Sequence, residues 1–173
     1  LLDAVAANRE YEPSARADSA HPAFSNLFVQ TEVVAGRDAL LASRRPRSDE
    51  EETVWAGHVL AVTGEVVGGI QYETDRARFL GRGNQIHHAA AVDRPLSNTA
   101  GRVLDPVFSL RRKVRIEPGA TAHLDFTTVV APTRVEALDL VDKFSETAAF
   151  ERISTLAWTQ AQVRLHHLRI EPD

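Results

Sequence analysis

The stretch FSLRRKVRIEPGATAHLDFTTVV, residues 108–130, decides the fold class that the sequence predicts. Apolar residues recur at alternate positions before and after Glu117-Pro118-Gly119, a period of two that is typical of half-buried strands. Proline pre-sets φ for a turn and glycine tolerates a positive φ, so these three residues predict the turn between the strands. The stretch therefore predicts an antiparallel hairpin, with an Arg-rich outer face opposite His123 or Asp125.

Upstream segments extend this predicted sheet. Residues 27–34 alternate, Gly36-Arg37-Asp38 forms a turn, and residues 39–43 provide a returning strand. VWAGHVLAV, residues 54–62, is apolar on both faces, which indicates a central strand covered on both sides. Another strand is expected to begin at Gly68, and the pattern of residues 86–106 indicates a loop. The basic run 44–47 is followed by the acids of 49–52, and this pattern predicts an exposed loop.

The period becomes helical after residue 132. Thr133 and Glu136 form a capping-box pattern, so a first helix is expected to reach about Phe144. A second helix is expected from about 148 to 168, capped by Ser145 or Thr147. Strands followed by helices predict a mainly β protein, an antiparallel β-sandwich with two C-terminal helices.

Composition excludes several classes of function. The chain has 173 residues, of which 43% are hydrophobic, and a formal net charge of -4, so nucleic acid is not an expected partner. It contains no Cys, which excludes thiol chemistry, and no apolar segment long enough to insert into a membrane. His87-His88 and His166-His167 are adjacent pairs that cannot easily hold one ion, so neither a metal nor a cofactor is predicted. The chain lacks Met and opens at Leu1, which suggests a piece of a longer protein.

The segment from Tyr72 to Gly83 carries the most chemistry. Glu73 and Asp75 are two apart on a predicted strand, about 7 Å from each other on one face. Paired glycosidase carboxylates lie about 5–9.5 Å apart, so a small glycosidase using these two residues is one hypothesis. The favoured alternative is structural: Asp75 caps a helix over 76–80, Gly81 ends it in the left-handed helical conformation, and Glu73 pairs with a nearby Arg.

Three aromatic residues leave another alternative open. Trp55, Trp158 and Tyr72 could stack on sugar rings, although such residues more often anchor cores or interfaces. A carbohydrate-binding module acting on its own through Trp55 or Tyr72 is therefore a second hypothesis. Trp158 lies off the apolar stripe of its helix and is expected to face a partner domain.

Four segments in the same order carry a resemblance to a known family. They are HPAFSNLFVQTE at 21–32, YETDR through FLGRG at 72–83, PLSNT at 95–99 with LDPVFSLR at 104–111, and LAWTQAQ at 156–162. Together they resemble the cyclic β-1,2-glucan synthetases, in the region related to glycoside hydrolase family 94, the cellobiose and chitobiose phosphorylase group. The resemblance covers about residues 21–168.

The resemblance implies a large β-sandwich, a supersandwich, followed by linker helices that lead to an (α/α)6 barrel. The expected domains are an irregular lead-in at 1–20, the β-sandwich at 21–132 and linker helices at 133–173. In the family the barrel carries the general acid, and its Gly-Asp-Trp-Asn-Asp segment does not occur here, so no catalytic residue is predicted. The loop from 76 to 83 approaches the barrel in relatives, which suggests a supporting, substrate-binding role for a small set of residues: Tyr72, Asp75, Arg76, Arg78 and Arg82.

The leading hypothesis is accordingly a non-catalytic β-sandwich fragment that scaffolds and supports the glucan or phosphorolysis site of a missing barrel. The expected partners are that barrel and a β-glucan. The resemblance covers only the later part of the sandwich, which would leave apolar faces and open strand edges. A second copy of the chain could cover them, so a homodimer is also expected. By resemblance, the parent is a bacterial inner-membrane protein with this region in the cytoplasm.

Overall fold

The computed structural model describes residues 26–46 and 51–168. The predicted lead-in at 1–20, the start of the first motif at 21–25, the centre of the charged loop at 47–50 and the tail at 169–173 lie outside the described residues. The strands are β1 (Val29–Val33), β2 (Ala39–Arg44), β3 (Val54–Thr63), β4 (Glu65–Asp75), β5 (Gly101–Arg102), β6 (Pro106–Arg115) and β7 (His123–Ala131). The helices are α1 (Arg76–Leu80), α2 (Ala90–Asp93), α3 (Arg134–Phe144) and α4 (Thr147–His167), with a 3₁₀ turn at Ile86–His88.

The strands form two antiparallel sheets. One has the order β5-β1-β2-β3-β7, and the other consists of β4 and β6. The predicted antiparallel β-sandwich with C-terminal helices is therefore confirmed. The predicted β1–β2 hairpin is confirmed as well, and β3 is central as predicted, since it pairs with β2 on one side and β7 on the other.

The hairpin predicted over residues 108–130 is wrong in its pairing. Both strands and the turn exist: the Ala120 N–H donates to the Glu117 carbonyl at 2.9 Å, and Gly119 has φ 79°. However, β6 pairs with β4 and β7 pairs with β3, so the chain crosses from one sheet to the other at this turn. A period of two fixes which side chains share a face but does not fix which strand is the neighbour.

The Arg-rich face of β6 consequently does not lie across from β7. Arg115 forms an ion pair with Glu65 of β4, its cross-strand neighbour, at 2.5 Å. Arg111 donates to the carbonyl of Arg94 at 2.8 Å and to the carbonyl of Ala91, and so binds the end of α2. The predicted pairing of this face with His123 or Asp125 is wrong for the same reason as the hairpin.

An aromatic stack joins the two sheets. The ring of His58 on β3 lies nearly parallel to Phe108 of β6, with a centroid separation of 5.7 Å, and also stacks on Phe126 of β7 at 5.9 Å. His58 Nδ1 lies 2.9 Å from Thr128 Oγ1. An ion pair also joins the two sheets. Arg112 of β6 forms a bidentate pair with Asp38 in the turn between β1 and β2, with 2.8 Å between Nη2 and Oδ1.

The opposite face of the five-stranded sheet is covered by α3. Ala137 and Val141 of this helix are fully buried and pack on a cluster of sheet residues: Ala39, Leu41, Val59, Val129 and Ala131. The predicted capping pair is present, since Thr133 Oγ1 accepts from the Glu136 N–H at 3.2 Å. The helix ends at Phe144 as predicted.

Arg44 corrects the prediction of an exposed loop over 44–52. It is the last residue of β2, 3% exposed, and pairs in register with Val54 and Val29. Its guanidinium lies 3.5 Å from Glu51 Oε1. Buried guanidinium groups are retained in proteins where a carboxylate compensates their charge, and Glu51 supplies that carboxylate for Arg44.

Two apolar surfaces remain exposed within the described residues. Three apolar side chains of β7 lie on the same face as His58 and are each more than a third exposed: Leu124, Phe126 and Val130. Helix α4 buries only Ala149, and its N-cap residue is Glu146 without a side-chain cap bond, not Ser145 or Thr147 as predicted. None of the helices in the described ranges is long and apolar enough to cross a membrane.

Gly57 marks where α3 lies closest to β3. A Cβ at this position would lie 2.8 Å from Val129 Cγ2 and 3.1 Å from Val141 Cγ2. Gly57→Ala is therefore expected to lower the free energy of unfolding by about 1–3 kcal/mol, because an overpacked core forces its neighbours to move. Urea denaturation measures the change. Gly69→Ala is the matched control, since nothing lies within 4 Å of its added Cβ, and an equal loss in both variants would contradict the close approach.

His58 gives the stability a dependence on pH. Burial lowers the pKa of His58 from its ordinary value of 6.5, so the folded protein binds a proton here less readily than the unfolded chain. Stability should therefore fall as pH drops below 6.5, where the unfolded chain gains a proton first. Denaturation of the wild type and of His58→Gln over this range measures the effect. The wild type should lose stability relative to the variant on acidification, and a constant difference would contradict the prediction.

Candidate functional site

The residues predicted to bind or support a ligand lie at the end of β4, in α1 and, for Arg82, just after α1. The extended segment 96–99 runs beside this end of β4. The Asn98 N–H donates to the Tyr72 carbonyl at 3.0 Å, and the Tyr72 N–H donates to Asn98 Oδ1 at 2.9 Å. Asn98 has φ 55°, a conformation that Asn adopts more readily than most residues. The segment therefore gives β4 a second neighbour opposite β6.

Glu73 is buried at the centre of this site, with 2% of its surface exposed. Its Oε1 accepts from the N–H groups of Thr74 at 3.1 Å and Asp75 at 3.0 Å. Its Oε2 accepts from the Ser97 hydroxyl and from the Ser97 N–H at 3.4 Å. A buried carboxylate needs donors that replace water, and four protein groups supply them here. Within the described residues its partners are these groups and not an arginine, which corrects the predicted ion pair.

Asp75 caps α1 as predicted. Its Oδ1 accepts from the N–H of Ala77 at 2.9 Å and of Arg78 at 3.3 Å, which satisfies two of the N–H groups that a helix start leaves open. Gly81 ends the helix with φ 79° and lies so close to α2 that a Cβ there would be 2.8 Å from the Cβ of Ala90. Its ψ of 156° differs from the left-handed helical geometry that the sequence predicted.

The three predicted arginines differ in their surroundings. Arg76 forms an ion pair with Asp105 at 3.1 Å, and Arg78 Nη1 donates to Thr99 Oγ1 at 3.1 Å. Their side chains nevertheless stay 50% and 60% exposed. Arg82 is exposed and makes no hydrogen bond or ion pair within the described part of the chain. The structure thus brings Asp75, Arg76 and Arg78 together and leaves Arg82 beyond them.

The arrangement does not favour a glycosidase that uses Glu73 and Asp75. Glu73 is only 2% exposed, whereas the side chain of Asp75 is 24% exposed, so the two carboxylates are not both open to a substrate. Both carboxylates already accept hydrogen bonds from the fold. A general acid or base needs a carboxyl group that can reach the substrate proton, and the buried Glu73 does not offer one.

Of the aromatic candidates, the two tryptophans lie apart from this cluster. Trp55 is half-buried and packs against the core cluster beneath α3, while Trp158 on α4 is 66% exposed. Tyr72 is half-buried and lies at the cluster through its backbone bonds with Asn98. In residues 26–46 and 51–168, no group of three His, Asp or Glu side chains could hold a metal ion.

Sequence reasoning assigned no role to several residues that build the site. They are Ser97, Asn98, Thr99 and Asp105. A signal was available, because all four lie within the third of the segments that carry the family resemblance. Their contacts with β4 and α1 span between 21 and 29 positions in the chain, as in the bonds of Arg78 to Thr99 and Arg76 to Asp105, and local periodicity does not report contacts at that separation.

Comparison with known proteins places this fold in a family. The family model of the glycosyl hydrolase 94 supersandwich domain matches residues 11–147. This chain belongs to that family, which confirms the resemblance in the sequence.

The chain is also similar to a curated protein, the cyclic beta-(1,2)-glucan synthase NdvB of Rhizobium meliloti (strain 1021). It is 37% identical over 156 residues, which cover 89% of this chain and 6% of that protein. The chain thus spans a small part of the length of the curated relative that it matches.

The cap of α1 can be tested by substitution. Asp75→Ala is expected to lower the free energy of unfolding by about 1 kcal/mol, because two N–H groups lose their acceptor. Asp75→Ser keeps a side-chain oxygen and should lose much less. Denaturation together with hydrogen exchange at the amides of Ala77 and Arg78 measures the effect. Unchanged exchange at both amides in Asp75→Ala would contradict the capping role.

Proposed function

We propose that this chain is a non-catalytic β-sandwich domain of a cyclic β-1,2-glucan synthase. In this proposal the domain scaffolds and supports a glucan or phosphorolysis site on an (α/α)6 barrel of the same polypeptide. The similarity to a protein named as such a synthase supports the substrate class. The proposed domain limits are a lead-in at 1–20, the sandwich at 21–132 and linker helices at 133–173.

The polar cluster consists of Glu73, Asp75, Arg76, Arg78 and segment 96–99. The hydrogen bonding and exposure of its charged groups are the observation that supports this proposal. Its carboxylates are used inside the fold, Glu73 by four donors and Asp75 by the start of α1. The guanidinium groups of Arg76 and Arg78 remain half exposed. A surface whose strand carboxylates are committed to the fold and whose arginines offer hydrogen-bond donors supports binding or orienting a sugar chain more than cleaving it.

The proposed substrate-binding residues are therefore Tyr72, Asp75, Arg76, Arg78 and Arg82, in unequal roles. Arg76 and Arg78 would donate to sugar oxygens, and Asp75 would hold the helix that carries them. Arg82 adds an exposed cation next to them in sequence. Tyr72 contributes through its backbone, which holds segment 96–99 in place.

The proposed partners follow from the exposed apolar surfaces. Helix α4 exposes Leu156 and Trp158 by about two thirds, which supports contact with a barrel that follows the linker helices. The exposed row of β7 supports the proposed homodimer, because an apolar sheet face and strand edge favour pairing with another chain. We further propose that the domain lies on the cytoplasmic side of the inner membrane in the parent protein.

Arginine substitutions in a full-length synthase that carries this domain test the proposal. Arg76→Ala and Arg78→Ala are each expected to lower kcat/KM for β-1,2-glucan by about tenfold or more, since a hydrogen bond from a charged group contributes about 1.5–3 kcal/mol. Lys113→Ala on β6 is the charge-matched control and should leave kcat/KM unchanged.

The chain by itself provides the complementary measurement. Incubated with β-1,2-gluco-oligosaccharides and phosphate, it should neither cleave nor phosphorolyse them. Turnover by the isolated chain would contradict the proposal. Saturable binding that is lost in Tyr72→Ala or Trp55→Ala would instead favour a carbohydrate-binding module that acts on its own.

A further inference from the structure

A chain of two hydroxyl groups joins Arg78 to the buried carboxylate of Glu73. Arg78 Nη1 lies 3.1 Å from Thr99 Oγ1, and Thr99 Oγ1 lies 2.7 Å from Ser97 Oγ. Ser97 Oγ is in turn hydrogen-bonded to Glu73 Oε2. The chain thus runs from a guanidinium that is 60% exposed to a carboxylate in a residue that is 2% exposed.

The chemistry of its two ends fixes the direction of every bond in this chain. A carboxylate only accepts hydrogen bonds, so the single hydroxyl proton of Ser97 goes to Glu73. Ser97 must then accept from Thr99, whose proton is used in turn, and Thr99 accepts from Arg78. A guanidinium only donates, so all three bonds are satisfied in one arrangement. Aligned hydrogen bonds of this kind polarise and strengthen one another.

We infer that Thr99 and Ser97 are positioning residues for Arg78 and that the buried charge of Glu73 anchors them, an inference that rests on the function proposed above. Arg78 has a second fixed point, since its Nε lies 3.7 Å from Asp75 Oδ2. A guanidinium carries five N–H donors, and one is used on Thr99, so several remain to donate to a ligand. These fixed donors match the hydroxyl and glycosidic oxygens of a glucan chain.

The hydroxyl of Thr99 is not needed to hold segment 96–99 on β4. The main chain does this, because the Thr99 carbonyl accepts from the Thr74 N–H at 3.2 Å and from Thr74 Oγ1 at 2.9 Å. The Thr99 hydroxyl bonds only to Ser97 and Arg78 within the described residues. Removing that hydroxyl therefore separates the positioning of Arg78 from the folding of the segment.

The first experiment follows the guanidinium of Arg78 in the 173-residue protein by nuclear magnetic resonance. In the wild type, rotation and proton exchange of its guanidinium should be slower than those of Arg82, the exposed arginine without a partner in the described residues. Thr99→Val should bring Arg78 to the behaviour of Arg82, and Thr99→Ser should restore the wild-type behaviour. Amide protection of Asn98, whose N–H donates to the Tyr72 carbonyl, reports whether the segment stays paired, and Thr99→Ala is the second variant if Val does not fold.

The second experiment measures kcat/KM in the full-length synthase. Thr99→Val should lower it by about tenfold, similar to Arg78→Ala, and Thr99→Ser should recover it. The double variant should be no worse than Arg78→Ala alone, because both changes act on one group. A loss in Arg78→Ala without any loss in Thr99→Val overturns the positioning role and leaves the proposed function intact. If Arg78→Ala itself has no effect, both are overturned.

Discussion

Strand β3 must bury apolar side chains on both of its faces, and the rest of the fold depends on how this is achieved. On one face α3 approaches so closely that position 57 has room only for glycine. On the other face the β4–β6 sheet lies across β3, with His58 stacked between rings from both sheets. Burial of an apolar side chain contributes about 1.5–3 kcal/mol, so a strand covered twice gains enough to determine which elements lie next to it.

This arrangement explains why the two strands around Gly119 separate into different sheets. β3 already has β2 on one edge, and β7 takes the other edge, where it supplies Val129 and Ala131 to the core under α3. β6 then pairs with β4, which places Phe108 over His58. Because β4 is fixed by β6, its end is held in place, and the polar cluster forms where β4 meets segment 96–99.

Glu73 determines the chemistry of that cluster. A carboxylate that is buried must be compensated by donors, and here the donors come from its own strand and from Ser97. The sequence places Glu73 and Asp75 two residues apart but cannot distinguish a catalytic pair from two structural groups. The outcome is decided by the burial of Glu73 and by the donors of Ser97, a residue 24 positions away in the chain. The arginines stay exposed because their partners occupy only part of each guanidinium.

Local chemistry in the sequence was sufficient for several features that depend on neighbouring residues, although not for the N-cap of α4. The caps at Asp75 and Thr133, the turn at Gly119 and the two-sided burial of residues 54–62 follow from side-chain chemistry and period within a few positions. The ordered motifs also established the family. Only the tertiary structure decided the partner of β7, the burial of Arg44 and the link from Glu73 to Arg78 through Ser97 and Thr99. The physical reason is that a strand's period specifies its faces, whereas its edges and buried charges are satisfied by groups that are close only after the chain has folded.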